Sequence, residues 1–289
     1  MSAAADSFWT RRKPFRASWS VRAAWLVLFA YLVYATSYLQ IDWARFVAGL
    51  GNGAHFIARM LPPNFSRWEL LAQGLFESLE MAVIASFLGV LLSLPLAVLG
   101  ARNLMPAVVT WPVRVLIILC RSFHPVIVAI IFVKAVGFGA LAGIAALTIA
   151  SVGFLGKLFT EAIEEVSIKQ VEAIRATGAP FASVLAFGVL PQVFARFIGF
   201  ATYQLDSNLR NSTMVGIVGA GGIGGTLFAA FQRFDYDFVS AILISLIALI
   251  MAGELFATAV RRIFIDNATL SELFRPGTRA ASAPRLEDD

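Results

Sequence analysis

Between about Leu79 and Gly100 the chain carries a single charged residue, Glu80, and otherwise reads as a nearly continuous apolar run. At 1.5 Å per residue, a helix of that length crosses the ~30 Å hydrocarbon core of a bilayer. With no water available there, the backbone must satisfy its own polar groups, as a helix does. Comparable intervals follow near 139–159, 189–209 and 239–260, and another precedes them near 23–38. A further span is expected to start at Arg121-Ser122-Phe123-His124-Pro125 and to end near Gly137. Residues 106–120, with Pro106, Pro112 and Arg114, read as an interfacial helix leading into it. The expectation is an all-α polytopic membrane protein of about six transmembrane helices.

Composition agrees. Of the 289 residues, 59% are hydrophobic and only 14% charged, against roughly 25% charged in soluble domains. That leaves too little polar surface to cover a globule in water. The net charge of +5 lies mostly in end segments and loops, as the positive-inside rule requires, and not on a nucleic-acid-binding face. The single cysteine, Cys120, excludes an intrachain disulfide.

The basic residues Arg11, Arg12, Lys13, Arg16 and Arg22 precede the first span, and Arg261-Arg262 closes the last. No small-x-small site follows the first run, so it is expected to stay as an uncleaved anchor. Six spans then place both termini in the cytoplasm. Three parts are expected: a basic cytoplasmic segment over 1–22, a transmembrane domain over 23–265, and a disordered cytoplasmic tail over 266–289. Residues 41–70, with Trp43, Phe46, Phe56 and Trp68, read as an aromatic interfacial segment on the other side, where His55 is a surface residue.

The most polar interval between two apolar blocks is 161–191. Glu172 lies three residues from both Lys169 and Arg175, so the three can line one helix face. Gly178 should stop that helix and Pro180 bar its continuation. A short water-facing helix–turn–helix between two spans is the direct reading.

Glu172-Ala173, Gly178 and Leu190-Pro191 together resemble the EAA signature of ABC-importer membrane subunits. The chain departs from the usual pattern at Ile174 and Gly188, where Ala and an apolar residue are usual. The segments from Phe76 to Asn103 and from Leu205 to Gly225 resemble phosphonate-type permeases, and the likeness runs over most of 71–260. This resemblance implies the type I ABC importer (MetI-like) fold, in a bacterial inner membrane. It implies a homodimer, two ATP-binding cassette subunits docking at Glu172, Ala173, Gly178 and Pro191, and an extracytoplasmic substrate-binding protein. The substrate would be a phosphonate, phosphate or phosphite, moved by alternating access.

A hydrated anion needs hydroxyls, amides and a cation along its route. Asn208, Arg210, Asn211, Ser212 and Thr213 supply these near a span end; Arg210 could instead pair with Asp206, four residues earlier. Gly219, Gly221 and Gly224 satisfy G-x-G-x-x-G, but no βαβ unit surrounds them, so a nucleotide site is disfavoured. Gly219, Gly221 and Gly222 then serve helix packing or break the span to open backbone N–H groups to the pathway. Arg121 and His124, expected at the cytoplasmic face, are candidates for an inner gate or for headgroup anchors. Glu77 and Glu80 read as packing or binding-protein contacts.

No catalytic or metal-binding constellation is visible, and Gly156-Lys157 is followed by Leu158 rather than by the Ser or Thr of a P-loop. Hence no enzyme activity and no cofactor are expected in this chain; ATP and magnesium belong to the partner ATPase subunits. Competing readings are a permease of the same superfamily for methionine or another small solute, and a secondary transporter that needs no ATPase.

Overall fold

The computed structural model describes residues 19–39 and 42–262, all helical apart from short connections. The basic segment before residue 19 and the tail from 263 onward lie outside the described residues. The chain divides into two units, Met1–Ala58 and Arg59–Asp289.

The first unit holds α1 (Trp19–Tyr38) and nearly all of α2 (Trp43–Arg59). Helix α1 is apolar all round, is long enough to cross a membrane and buries no residue. Helix α2 is strongly amphipathic, as expected of an interfacial helix.

The second unit is a helix bundle whose longest interface joins α3 (Trp68–Gly100) to α6 (Ala140–Glu164). Bilayers provide no hydrophobic force between helices, so close approach relies on small residues. Helix α3 buries Ala82, Ser86, Gly89, Ser93 and Ala97 at helical spacing, and small residues bring α6 close to it, Gly143 against Met81, Ser151 against Gly89 and Thr160 against Gly100. Helix α3 begins well before the expected start at Leu79. Its polar first turns are kept helical by packing, for Gly74 lies against Ile223 and Ser78 is fully buried.

Helices α4 (Ala107–Ser122) and α5 (Pro125–Val136) differ from the sequence reading. They are not an interfacial helix followed by a straight span, but two arms bent by 89°. Helix α4 packs antiparallel along the second half of α6: Arg114 reaches Glu164, Ile117 faces Gly156, and Cys120 and Arg121 face Gly153. Helix α5 then packs on the first half of α6 through Val128, Ala129 and Val133. With the bent pair counted once, up to six helices or helix pairs are long and apolar enough to span.

A short polar helix, α7 (Ile168–Ala176), follows α6. The next rising helix has three parts: a single turn α8 (Phe181–Ser183), a π-helical stretch (Val184–Val189) and α9 (Leu190–Ile217). Helix α10 (Ile223–Gln232) and the long α11 (Tyr236–Arg261) complete the bundle. At the end away from α7, the Arg67–Asp235 ion pair and Asn64 on Asp237 fix the start of α3 beside that of α11. Stacked Phe159 and Phe197, with centroids 4.1 Å apart, centre the core near α7.

Candidate functional site

Three polar regions interrupt this apolar bundle. The first is α7. Its buried Val171 seats it on the bundle, while Lys169, Glu172, Ala173 and Arg175 stay exposed. No ion pair among the described residues engages Lys169, Glu172 or Arg175, so the face is free to meet another surface. Gly178 follows with φ +77°, a left-handed conformation that glycine adopts without steric cost, and turns the chain into Pro180. Pro191 is exposed within the first turn of α9, where a missing N–H costs least.

The join between α7 and α9 contains two features that sequence reasoning missed. The Leu190 N–H donates to Leu185 O, five residues back, which defines the π turn. Gln192 then spans the junction: its amide donates to Gly188 O at 2.5 Å, and its carbonyl accepts the Ser167 N–H at 2.9 Å. Glu165 and Arg196 add an ion pair at 2.5 Å. Gly188, one of the two departures from the usual motif, is buried where a Cβ would lie 3.2 Å from Ile174 Cδ1. Its missing side chain lets the π turn sit directly on α7. The glycine at 188, three residues before Pro191 and at a position where an apolar residue is usual, was the available signal.

The second region is the polar side of α9. Asn208 is fully buried and donates to Ser86 of α3 at 2.9 Å and to Ser151 of α6 at 2.8 Å. Gln204 donates to the same Ser151 at 2.9 Å and to Asn208 Oδ1 at 3.0 Å. Both serine hydroxyls donate onward to carbonyls of their own helices. Each amide hydrogen in the cluster has an acceptor, and three helices are tied together.

Arg210 pairs with the buried Asp206 at 2.5 Å, so its charge is locally compensated. Asn211 reaches Ser207 at 3.3 Å and Ser212 bonds back to Leu209 O, while the Thr213 hydroxyl is buried without a partner. Of the five polar residues from Asn208 to Thr213, Arg210 alone is exposed, Asn211 is half-buried, and the other three are buried.

The glycine stretch breaks the helix. Gly219, Gly221 and Gly222 all have positive φ, forming the turn between α9 and α10. Gly219 O accepts the Gly139 N–H at 3.1 Å, and Ser78 Oγ accepts the Ile223 N–H at 2.9 Å. Gly224 touches the Thr213 carbonyl region, so it acts by packing. The stretch thus breaks the helix at Gly219, Gly221 and Gly222 and packs closely at Gly224.

The third region is the α4–α5 break. Arg121 and His124 do not lie at the α7 end of the bundle, contrary to the sequence expectation. Gly153, which faces Arg121, precedes Glu164 by eleven residues of helix, or about 16 Å. The break therefore sits near mid-height on α6. His124 caps α5 by accepting the Val126 N–H at Nδ1, 3.3 Å away.

Helices of spanning length packed through small residues, with one exposed polar helix between two of them, define a polytopic membrane-protein architecture. Comparison with known proteins agrees. Residues 89–266 match the family described as binding-protein-dependent transport system inner membrane component. The phosphite transport system permease protein PtxC of Stutzerimonas stutzeri is 39% identical over 82% of this chain and 87% of its own length. The putative phosphite permease HtxC of the same organism is 33% identical over 84% and 86%. A chain from inward-facing structures of the MetNI methionine ABC transporter superposes with a TM-score of 0.60, covering 70% of this chain and 99% of that one at 24% identity, which supports the fold. The chain belongs to the binding-protein-dependent transport inner membrane components: it is a multi-pass inner-membrane permease of an ABC transporter and not itself the catalyst. This membership implies ATPase and substrate-binding partners, and it decides against the secondary-transporter alternative.

Proposed function

We propose that the chain imports a phosphorus oxyanion (phosphonate, phosphite or phosphate) as one half of a homodimeric passage. The relatives whose names carry phosphite or phosphate transport, at 33–39% identity, support the substrate class. The single observation that carries the coupling is α7. Its charged face, free of described ion pairs, is held to the base of α9 by Gln192. A cytoplasmic ATPase subunit docking on Glu172, Ala173 and the Gly178 turn would push α7, and α7 would move α9 through that link and Pro191. The passage would then open alternately to the two sides as two rigid-body states exchange. On this reading the α7 end and both termini are cytoplasmic, the Glu172–Pro191 stretch serves as the EAA motif, and a binding protein delivers the anion to the opposite end. ATP and magnesium stay with the ATPase subunits.

In the pathway, Arg210 and Asn211 are the exposed and half-exposed members of the predicted set, and they are the ones to test there. The glycine turn at Gly219, Gly221 and Gly222 shapes the far end. A methionine permease is the second reading, since the probable D-methionine permease MetI of Vibrio cholerae is 28% identical over 68% of this chain.

ATPase activity of the reconstituted complex, with its binding protein, should rise with 2-aminoethylphosphonate, phosphate or phosphite and not with methionine. Stimulation by methionine alone would overturn the substrate class and leave the coupling intact.

A further inference from the structure

A cavity of about 330 Å³ opens in the groove between α4 and α6, within the size range of small-ligand pockets. Its polar lining comprises Arg114, Arg121, Ser122, Lys157, Thr160 and Glu161. The cations here are not equivalent. Arg114 is engaged by Glu164 at 2.5 Å and by the Gly100 carbonyl at 2.9 Å. Lys157 forms a looser pair with Glu161 at 3.5 Å, with both side chains about half exposed. Arg121 makes no ion pair or hydrogen bond among the described residues. Counting Glu164, three cations face two carboxylates, and the excess charge sits on Arg121.

Its location matters as much as its charge. Arg121 is held at the α4–α5 break near mid-height on α6, because Gly153 allows the α4 backbone to approach closely. An unpaired guanidinium at that depth is costly in a bilayer unless it meets water or an anion. Guanidinium matches tetrahedral oxyanions through paired N–H donors, and an adjacent ammonium adds a point charge. A surface arginine that merely favoured the α4 C-terminus would need neither the break nor the second cation.

We propose that this groove binds a phosphoryl or phosphonyl oxyanion, with Arg121 as its principal partner and Lys157 exchanging from Glu161 to complete the contact. The anion could come from the transported solute, which rests on the function proposed above, or from a phospholipid headgroup entering the groove from the bilayer. The chemistry is shared, and the sources separate by experiment.

The whole transporter with its binding protein is reconstituted in phosphatidylcholine vesicles with and without phosphatidylglycerol. Uptake of phosphate, phosphite and methylphosphonate is measured, together with the phosphatidylglycerol that stays bound through purification. If the solute occupies the site, Arg121→Gln lowers uptake at least about tenfold in both vesicle types, the loss of one charged hydrogen-bonding partner, and Arg121→Lys restores part of it. If a headgroup occupies it, Arg121→Gln sheds the bound phosphatidylglycerol, and uptake falls only in vesicles containing that lipid. Phe123→Leu alters the same break without touching charge and should behave as wild type; an equal loss there would assign the effect to the bend and overturn the site. Wild-type uptake and wild-type lipid retention in Arg121→Gln would also overturn it. If the wild type imports none of the three anions, the substrate reading falls, and lipid retention alone decides the site.

Discussion

The side-chain carbonyl of Gln192 accepts the backbone N–H of Ser167 at 2.9 Å, so one side chain joins the first turn of α9 to the residue preceding α7. The same side chain donates to Gly188 O inside the π turn. Gln192→Leu keeps the volume and removes both bonds, a loss of about 1–3 kcal/mol. The expected outcome is ATP hydrolysis that continues while solute imported per ATP falls several-fold. An unchanged ratio would mean that α7 moves α9 without this link.

Gly178 imposes a second condition on the same junction. Its φ of +77° strains any β-branched residue, by about 1–2 kcal/mol. No atom lies within 4 Å of where its Cβ would be, so the strain stays local. Gly178→Val should therefore assemble at normal yield yet lose coupling of ATP hydrolysis to transport. Coupled transport at the wild-type ratio would count against the proposed role of this turn.

Arg210 and Asp206 offer a test that separates a pathway cation from a structural pair. Removing the arginine leaves a nearly buried carboxylate alone, at a cost of up to about 3 kcal/mol, reduced because Arg210 itself is half exposed. Arg210→Gln should lower both thermal stability and uptake. Adding Asp206→Asn should restore stability; uptake that returns with it assigns a structural role, and uptake that stays low assigns a pathway role.

Gly153 sets the height of the α4 break. A Cβ there would lie 2.7 Å from Arg121 N and 2.8 Å from the Cys120 carbonyl carbon, too close for backbone atoms. Gly153→Ala should push α4 outward and cost about 1–3 kcal/mol. Cys120, the single cysteine and only partly buried, reports the shift directly. Its alkylation rate should rise in the variant; an unchanged rate would show that α6 yields instead.

Much of this was legible in the sequence. Long apolar runs marked the main spans, and the spacing of Glu172, Gly178 and Pro191 marked α7 and its turn. Other features depended on tertiary partners that composition cannot display. The first turns of α3 look polar, yet they are helical because Ile223 and the α10 start cover them. Arg114 read as an interfacial charge because Glu164, its partner, lies fifty residues away. Arg121 was expected at the cytoplasmic face because a span was read as starting at Arg121-Ser122-Phe123-His124-Pro125, whereas α4 stays helical through Ser122 and carries Arg121 along α6. Asn208 read as pathway chemistry because sequence records an amide and not the two serines that occupy it.

That last cluster has a consequence for where a solute can travel. Ser86, Ser151, Gln204 and Asn208 close the space between α3, α6 and α9, with no more than 6% of any of them open to solvent. A bolt of this kind holds its helices as one lever, and a lever has no hole along its length. On the proposed function, the anion must pass along the outside of this bundle, so one copy of the chain supplies half a corridor and its mate supplies the facing wall.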